Sequence, residues 1–213
     1  MKKHHAPSPC PFSTRPPAAR RLLRRALPAA LLVLTVAAAR SQPADPAAAA
    51  QRAPWAPQTL FLQAGAADHV QSASVGATWA WGWQRATAWG RLGGHWEASL
   101  GGWRTQHAGR TSQAAVSQLG LTPVLRLVPD AWGGDWFVEG GIGLNLVAPV
   151  YRSREKRFST VFNFGDHLAV GRRFGDGRRH ELALRLQHYS NAGIRHPNPG
   201  QNFVQLRYAL EVP

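Results

Sequence analysis

The residues best suited to chemistry lie together in HYSNAG, residues 188–193, which NPG at 198–200 follows. The preceding residues, 182–187, alternate apolar and polar side chains with a period of two, which predicts a β-strand. If the alternation continues, His188 and Ser190 share one face of this strand with three leucines. An imidazole beside a hydroxyl is an arrangement suited to activating a serine nucleophile. The leucines predict that this face is buried or faces lipid.

The elements that must position this stretch follow from the same alternation, which continues through the chain from residue 59 onward. We predict eight strands, at residues 59–66, 71–83, 89–103, 112–128, 135–148, 158–174, 181–190 and 202–212. An even number of antiparallel strands closes an up-and-down barrel without a free edge. The predicted fold class is therefore all-β, an eight-stranded antiparallel barrel.

Two kinds of barrel fit this pattern. In a soluble, lipocalin-like barrel the apolar face points inward, whereas in an outer-membrane barrel it points to lipid and polar residues fill the interior. Several predicted strands exceed ten residues, a length that suits a tilted bilayer crossing. Nine tryptophans are a high count, and Trp83, Trp89, Trp103 and Trp132 near strand ends suit aromatic girdles. We therefore predict a transmembrane barrel of outer-membrane type, with the soluble carrier as the alternative.

The N-terminal region has the pattern of a secretory signal. Seven basic residues precede an apolar stretch at 26–39, which is too short to span a bilayer as a mature helix. The predicted domains are a signal peptide at 1–40, an Ala/Pro-rich leader at 41–57 and a barrel at 58–213. The one cysteine, Cys10, precedes the apolar stretch, so the mature chain is expected to form no disulfide and no cysteine metal site.

The charge of the remaining chain is basic. From residue 46 onward it carries 17 basic and 10 acidic side chains, a balance near +7. Such a charge suits an anionic partner, such as a phospholipid surface or a phosphorylated glycolipid. Nucleic acid is not expected as a partner, because it fits poorly with a secretory signal. Arginines that line a wet barrel interior are the alternative explanation of the charge.

The membrane barrel gives the candidate pair a definite location. With both termini on the periplasmic side, the connection between the last two strands lies at the outer rim. His188 and Ser190 then point into the outer leaflet just beneath that rim. Polar side chains in such a place are costly and usually functional. The alternative is that both lie at the strand end in the headgroup layer, and H-x-S alone is a weak motif.

The surrounding residues resemble the PagL-type lipid A 3-O-deacylases. The likeness rests on HYSNAG followed by NPG and a short last strand. It extends to the tryptophan-rich second and third strands and to the segments VGA at 75–77, EGGIG at 139–143 and NFGD at 163–166. It covers residues 70–213. Members of this family are eight-stranded outer-membrane barrels that hydrolyse the ester at position 3 of lipid A, so the resemblance implies the same fold and reaction here.

Carried over residue by residue, the resemblance implies that Ser190 is the nucleophile and His188 its general base. Asn191 matches a residue important for activity in the family. With the backbone N–H of Gly193 it is expected to orient the site or stabilise the oxyanion. The alternative is that Asn191 and Gly193 serve only the turn, since both tolerate a positive φ.

The third triad position departs from the family pattern. The family has a glutamate fourteen residues after the histidine, where this chain has Asn202. An asparagine accepts the imidazole N–H and fixes its tautomer, but it brings no negative charge to stabilise an imidazolium. Weaker activity, or another acid in this role, follows as an alternative, and Asp166 on the sixth strand is the nearest acid by strand order.

Together with the predicted membrane barrel, the resemblance implies a serine esterase of the Gram-negative outer membrane that removes the 3-hydroxyacyl chain from position 3 of lipid A in lipopolysaccharide. The alternative is a non-catalytic small outer-membrane barrel that has lost activity with its triad acid. No cofactor and no metal are expected, because the histidines lack the carboxylate spacing of a zinc site. A homodimer is left open. The loop residues Arg152, Arg154, Lys156, Arg157 and Arg195 suit the phosphates of lipid A, or are simply solvated.

Overall fold

The computed structural model describes residues 53, 55–105 and 115–213. The predicted signal peptide, residues 1–40, lies outside the described residues, as does most of the predicted leader, residues 41–57. No helix in the described part of the chain is long and apolar enough to cross a membrane.

In the described residues, nine antiparallel strands form one closed sheet. They are β1 (Thr59–Ala67), β2 (Val70–Ala80), β3 (Arg85–Thr87), β4 (Gly90–Thr105), β5 (Ala115–Pro129), β6 (Trp136–Ala148), β7 (Phe162–Phe174), β8 (His180–Ser190) and β9 (Gln201–Glu211). Short 3₁₀ turns at Asp130–Trp132 and Asp176–Arg178 follow β5 and β7. The pairings of β1 with β9 and of β2 with β4 close the ring. Because the three-residue β3 pairs only with the beginning of β4, the described wall has eight strands, as predicted.

One predicted strand, residues 71–83, is too long at its C-terminal end. β2 stops at Ala80, although Trp81 still donates its backbone N–H to Gly94 at 2.8 Å. The Trp81 ring lies over Gly94 and meets Trp96 edge-on, with ring centroids 6.1 Å apart. Outward tryptophans therefore continue the apparent alternation after the strand itself has ended.

A second predicted strand, residues 158–174, begins too early. β7 begins at Phe162, and residues 149–161 form a loop. Phe158 is buried in the mouth of the barrel, where its ring meets Trp103 and Tyr151 edge-on. A loop aromatic that packs inward thus mimicked the beginning of an alternating strand.

The two faces of the barrel wall have opposite polarity, and the apolar face is the outer one. On β8, Leu186 is 58% exposed while its neighbour Arg185 is 1% exposed. Large apolar side chains are exposed along the wall: Leu60, Val75, Leu100, Leu119, Leu121, Ile142, Leu144, Leu168, Leu184, Val204 and Leu206. Polar side chains are buried inside: Gln63, Gln118, Asn145, Gln187 and Gln205. This inversion is typical of a membrane barrel, so the lipocalin-like alternative is wrong.

A network of ion pairs fills the middle of the barrel. Arg185 donates two hydrogen bonds of 2.9 Å to Glu97 and one of 3.1 Å to Glu139. Arg126 donates one of 2.9 Å to Glu139, and Arg207 also pairs with Glu97. These residues come from β4, β5, β6, β8 and β9. Buried charges that satisfy one another fix the interior side chains and tie opposite walls together.

An aromatic cluster closes the loop end of the barrel and supports the ends of β8 and β9. Trp103 lies at its centre, with ring centroids 4.8 Å from Tyr189 and 5.1 Å from Phe203. The prediction that Trp103 belongs to an interfacial girdle is therefore wrong, because β4 turns this side chain inward. The cluster fixes the backbone on which the candidate residues lie.

The exposed tryptophans gather at the opposite end of the barrel. Trp83, Trp89, Trp132 and Trp136 are all exposed and lie in or beside the connections at this end. It is also the end at which β1 begins and β9 ends, since Thr59 pairs with Glu211. Tryptophan prefers the interface between membrane and water, so this belt marks one edge of the membrane-spanning region.

Candidate active site

The outer face of β8 carries the predicted nucleophile and base. Residues 183, 185, 187 and 189 are buried, whereas His188 and Ser190 are half-buried on the outer face, after three exposed leucines. Ser190 is the last residue of β8, so the pair lies where the wall meets the β8–β9 loop. The structure thus places both side chains on the face that the alternation predicts.

His188 pairs directly across the sheet with Asn202 of β9. Its Nδ1 lies 2.5 Å from Oδ1 of Asn202. With the amide oxygen facing the ring, Asn202 can only accept a hydrogen bond, so Nδ1 carries the proton and Nε2 keeps its lone pair. This is the tautomer that a general base for serine requires.

Gly200 lies against the other edge of the imidazole. A Cβ at this position would be 2.7 Å from Cε1 and 3.4 Å from Nε2 of His188, and the φ of Gly200 is +65°. The close approach and the left-handed backbone both require glycine. Gly200 therefore leaves room for the Cε1 and Nε2 atoms of the ring, while Asn202 engages Nδ1. The pairing of β8 with β9 ends at Tyr189 and Gln201, so Ser190 and Gly200 lie immediately beyond the last pair.

The backbone turns immediately after Ser190. Ala192 and Gly193 have φ values of 52° and 80°. This turn directs the N–H of Ala192 toward Oγ of Ser190, at 3.4 Å. On the neighbouring strand Phe164 is the cross-strand partner of Ser190. The serine thus has a backbone donor above it and an aromatic side chain beside it on the lipid-facing wall.

Asn191 faces the loops rather than the lipid-facing wall, and it is fully buried. Its Nδ2 donates to Oγ of Ser159 at 3.0 Å and to the carbonyl of Arg195 at 2.7 Å, and Oγ1 of Thr160 lies 3.2 Å from it. Its Oδ1 accepts the N–H of Gly193 at 3.0 Å. The structure therefore makes Asn191 the tie between the β6–β7 and β8–β9 loops. The oxyanion role of Asn191 and Gly193 stays a prediction.

Sequence reasoning missed Ser159 and Thr160. Their contacts with Asn191 span 32 and 31 residues of chain, and they lie in an irregular loop with no periodic pattern. A serine and a threonine in such a loop carry no signal of their own. Their role depends on the tertiary contact with Asn191.

Asp166 lies on β7, the strand that pairs with β8 on the side away from β9 and Asn202. It faces outward and is the cross-strand partner of His188. A row of three polar side chains, Asp166, His188 and Asn202, therefore crosses the outer wall at one level. The row lines a depression whose other walls include Leu168 and Leu186.

Three of the other histidines lie in different parts of the barrel. His167 is buried in the barrel, His196 is exposed in the β8–β9 loop, and Nδ1 of His180 lies 2.7 Å from the hydroxyl of Tyr208 at the opposite end. Within the described ranges, no three His, Cys, Asp or Glu side chains are grouped to hold a metal ion.

The basic loop between β6 and β7 lies at the same end as the serine. Arg152 and Arg157 form an isolated antiparallel bridge, and Oγ of Ser153 accepts the N–H of Lys156 at 2.9 Å. Arg195 in the β8–β9 loop is joined to this region, because its carbonyl accepts the hydroxyl of Ser159 at 2.7 Å. The predicted charged loop is thus a small hairpin beside the candidate site.

Comparison with known proteins gives one consistent family. Residues 71–211 match the family model described as "Lipid A 3-O-deacylase (PagL)". The chain is 32% identical over 155 residues to a protein of Bordetella bronchiseptica named lipid A deacylase PagL, covering 71% of this chain and 82% of that protein. It is 31% identical over 144 residues to the protein of the same name from Pseudomonas aeruginosa, covering 65% and 76%. A crystal structure titled as the outer membrane enzyme PagL superposes with a TM-score of 0.62 at 26% identity, over 72% of this chain and 99% of that one.

Proposed function

The chain belongs to the PagL family of lipid A 3-O-deacylases, and on that premise we propose that Ser190 and His188 carry the hydrolysis, with Asn202 orienting the imidazole. The protein is a hydrolase of the Gram-negative outer membrane that acts on the acyl ester at position 3 of lipid A. One observation carries the assignment of residues: a histidine with its Nδ1 engaged by an amide oxygen, beside a serine, on a wall that otherwise presents leucine to lipid.

The first half of the reaction transfers the acyl chain to the protein. Nε2 of His188 accepts the proton of Ser190 as Oγ attacks the ester carbonyl and forms a tetrahedral oxyanion. The imidazolium then gives this proton to the sugar oxygen as the bond between carbonyl carbon and sugar oxygen breaks. The product is 3-O-deacylated lipid A, and the acyl group remains on Oγ.

The second half regenerates the serine. His188 takes a proton from a water molecule, whose oxygen attacks the acyl carbonyl, and the proton then returns to Oγ as the fatty acid leaves. Water reaches this position because Ser190 lies at the end of β8, directly beneath the exposed β8–β9 loop. The acyl chain meanwhile lies along the apolar outer wall.

Backbone donors in the turn after the serine stabilise the oxyanion. The N–H of Ala192 points at Oγ of Ser190, which supports it as one donor. Asn191 holds this turn through its bond to the N–H of Gly193. In this proposal Asn191 and Gly193 shape the oxyanion site, and losing one such donor typically slows a hydrolase about 10²- to 10³-fold.

The site faces the outer leaflet. In outer-membrane barrels the termini and short turns are periplasmic and the longer loops extracellular. Here the connections at 149–161 and 191–200 are longer than those at 130–135 and 175–179. The tryptophan belt and both strand termini lie at the opposite end, which supports this orientation. Residues 1–40 would direct export as a signal peptide and be removed.

A loop arginine binds a phosphate group of the substrate. The carbonyl of Arg195 accepts hydrogen bonds of 2.7 Å from Nδ2 of Asn191 and from the hydroxyl of Ser159, while its side chain is exposed. The backbone at Arg195 is therefore fixed and the guanidinium is free to meet a ligand. Guanidinium groups bind phosphate bidentately, and lipid A is a phosphorylated glycolipid.

The assignment is tested by mass spectrometry of lipid A after incubation with the refolded protein in detergent. The wild type is expected to remove one 3-hydroxyacyl group, and Ser190→Ala and His188→Ala are expected to remove none. Ser117→Ala is the matched control, since Ser117 is an exposed outward serine near the same end of β5. Deacylation by folded Ser190→Ala would overturn the assignment. No product from the folded wild type would instead favour a non-catalytic barrel.

A further inference from the structure

A carboxylate lies on the outer wall of the barrel, on a strand whose other outward side chains nearby are apolar. Asp166 faces outward on β7, between Phe164 and Leu168, and Leu168 is 70% exposed. An acidic side chain on the lipid-facing side of a membrane barrel is costly, and a membrane-facing ionisable group is by default functional. Because the charge of Asp166 is costly on this face, we expect the carboxylate to interact with another polar group.

The sheet register gives that partner. Asp166 is paired with Ile142 of β6 on one side and with His188 of β8 on the other. Side chains directly opposite on neighbouring antiparallel strands have Cβ atoms about 4.5–5.5 Å apart. Of its two cross-strand neighbours, only His188 can interact with a charge. Asp166 is thus the cross-strand neighbour of the proposed base on β7, and Asn202 is its neighbour on β9.

The proposed reaction needs a negative charge at this place. His188 becomes an imidazolium when it takes the proton of Ser190, and Asn202 is neutral. Asn202 holds the ring by accepting from Nδ1 at 2.5 Å, so it supplies orientation only. In a region of low dielectric constant, a carboxylate near a developing positive charge is worth far more than it is in water.

We propose that Asp166 is a positioning residue that supplies the negative charge for His188. The base needs both a nearby negative charge and a fixed orientation, so Asp166 provides the charge and Asn202 provides the orientation. This inference rests on the proposed function of Ser190 and His188. Asp166 touches no reacting atom and acts through the imidazole.

Other charged groups near the imidazole are less well placed. Asp68, in the turn between β1 and β2, lines the same depression, but β9 with Asn202 lies between it and His188. Arg195 and His196 lie in the exposed loop above the site. Asp166 is the acid on the strand directly paired with β8.

The first variant is Asp166→Asn, which removes the charge and keeps the shape. Since Asn202 still fixes the tautomer, only the electrostatic part of the base is lost. We expect kcat to fall on the order of 10- to 100-fold, as for one unit charge at about 6 Å in a medium of intermediate dielectric constant, with KM for lipid A little changed. Asp68→Asn removes the same charge from the same depression and is expected to keep kcat within about twofold.

The second variant tests whether Asp166→Asn lowers kcat because it removes a negative charge. Asn202→Glu restores a carboxylate on the other side of the ring. In the Asp166→Asn background it is expected to recover most of the lost kcat, whereas in the wild-type background it changes kcat much less. Such non-additivity in a double-mutant cycle is the signature of two residues serving one group. A merely structural role of Asp166 would not be rescued from β9.

The outcomes separate the inference from its premise. If the wild type shows no Ser190-dependent deacylation, the proposed function fails. If the wild type is active and folded Asp166→Asn keeps its kcat, the inference alone is overturned. The same holds if the loss is real but Asn202→Glu does not reverse it. Folding of each variant is checked by far-ultraviolet circular dichroism in the same detergent.

Discussion

Gly200→Ala adds a single methyl group directly against the proposed base. The new Cβ would lie 2.7 Å from Cε1 of His188, and the backbone there has a φ of +65°. Carbon atoms in ordinary contact are about 3.5–4.0 Å apart, so the ring must retreat by roughly 1 Å. We expect that movement to break the 2.5 Å contact between Nδ1 of His188 and Oδ1 of Asn202, which holds the ring in position.

The size of the effect differs for stability and for catalysis. A non-glycine residue in a left-handed conformation costs about 1–2 kcal/mol, a modest part of the roughly 5–15 kcal/mol that stabilises a typical domain. The barrel should therefore still fold. A catalytic group displaced by about 1 Å typically costs about 10²-fold in rate. We expect kcat for lipid A deacylation to fall about 100-fold in Gly200→Ala.

The assay is the initial rate of acyl release from lipid A by refolded protein in detergent, with thermal unfolding measured on the same samples. Gly133→Ala is the matched control, because Gly133 has a φ of +72° and a Cβ there would meet nothing within 4 Å. It carries the same backbone strain at the opposite end of the barrel and should keep the wild-type kcat. A wild-type rate for Gly200→Ala, or an equal loss in Gly133→Ala, would refute the argument from ring position.

Three further predictions test other parts of the site and its scaffold. Asn191→Ala removes the tie between two loops and should lower kcat by about 10-fold or more while making the β8–β9 loop easier to cleave, measured by limited proteolysis beside the rate assay. Arg195→Ala should raise KM several-fold for phosphorylated lipid A but not for dephosphorylated lipid A. Arg85→Ala, at the other end of the barrel, is the control. An equal effect of Arg195→Ala on both substrates would exclude a phosphate contact. Glu97→Gln removes the carboxylate that pairs with Arg185 and Arg207 inside the barrel. The free energy of unfolding, measured in urea, should therefore fall by about 3–5 kcal/mol. Glu155→Gln, on an exposed loop, should change it very little.

The sequence predicted on which face of the strand the candidate residues lie, because inward and outward positions alternate in a membrane barrel and differ in polarity. Each outward position must suit lipid and each inward position must suit the polar interior, so the alternation through residues 182–190 has one solution. The same parity on β9 set Asn202 on the outer face, and the register then pairs it with His188. The family resemblance had already pointed to position 202, and the outward parity of Asn202 agrees with this contact.

The alternation of side chains could not predict the rest of the candidate site. Parity ends with β8 at Ser190, so it gave no direction for Asn191, which turns inward to partners on another loop. The girdle prediction for Trp103 used only its position near the end of a strand, and the side chain points into the barrel instead. Such positions are decided by packing at the barrel mouth, which depends on residues far away in the sequence.

Because side chains alternate between the two faces of a strand, the packed interior also supports the residues on the outer face. Tyr189 lies between His188 and Ser190 and points the opposite way, into the cluster around Trp103, and Phe203 does the same beside Asn202. The packing of both rings anchors the backbone that carries His188, Ser190 and Asn202. Precise placement of reacting groups needs such a rigid support. The inward-facing side chains of β8 and β9 therefore supply the rigid support for the proposed active site on the outer wall, because lipid cannot hold these residues in position.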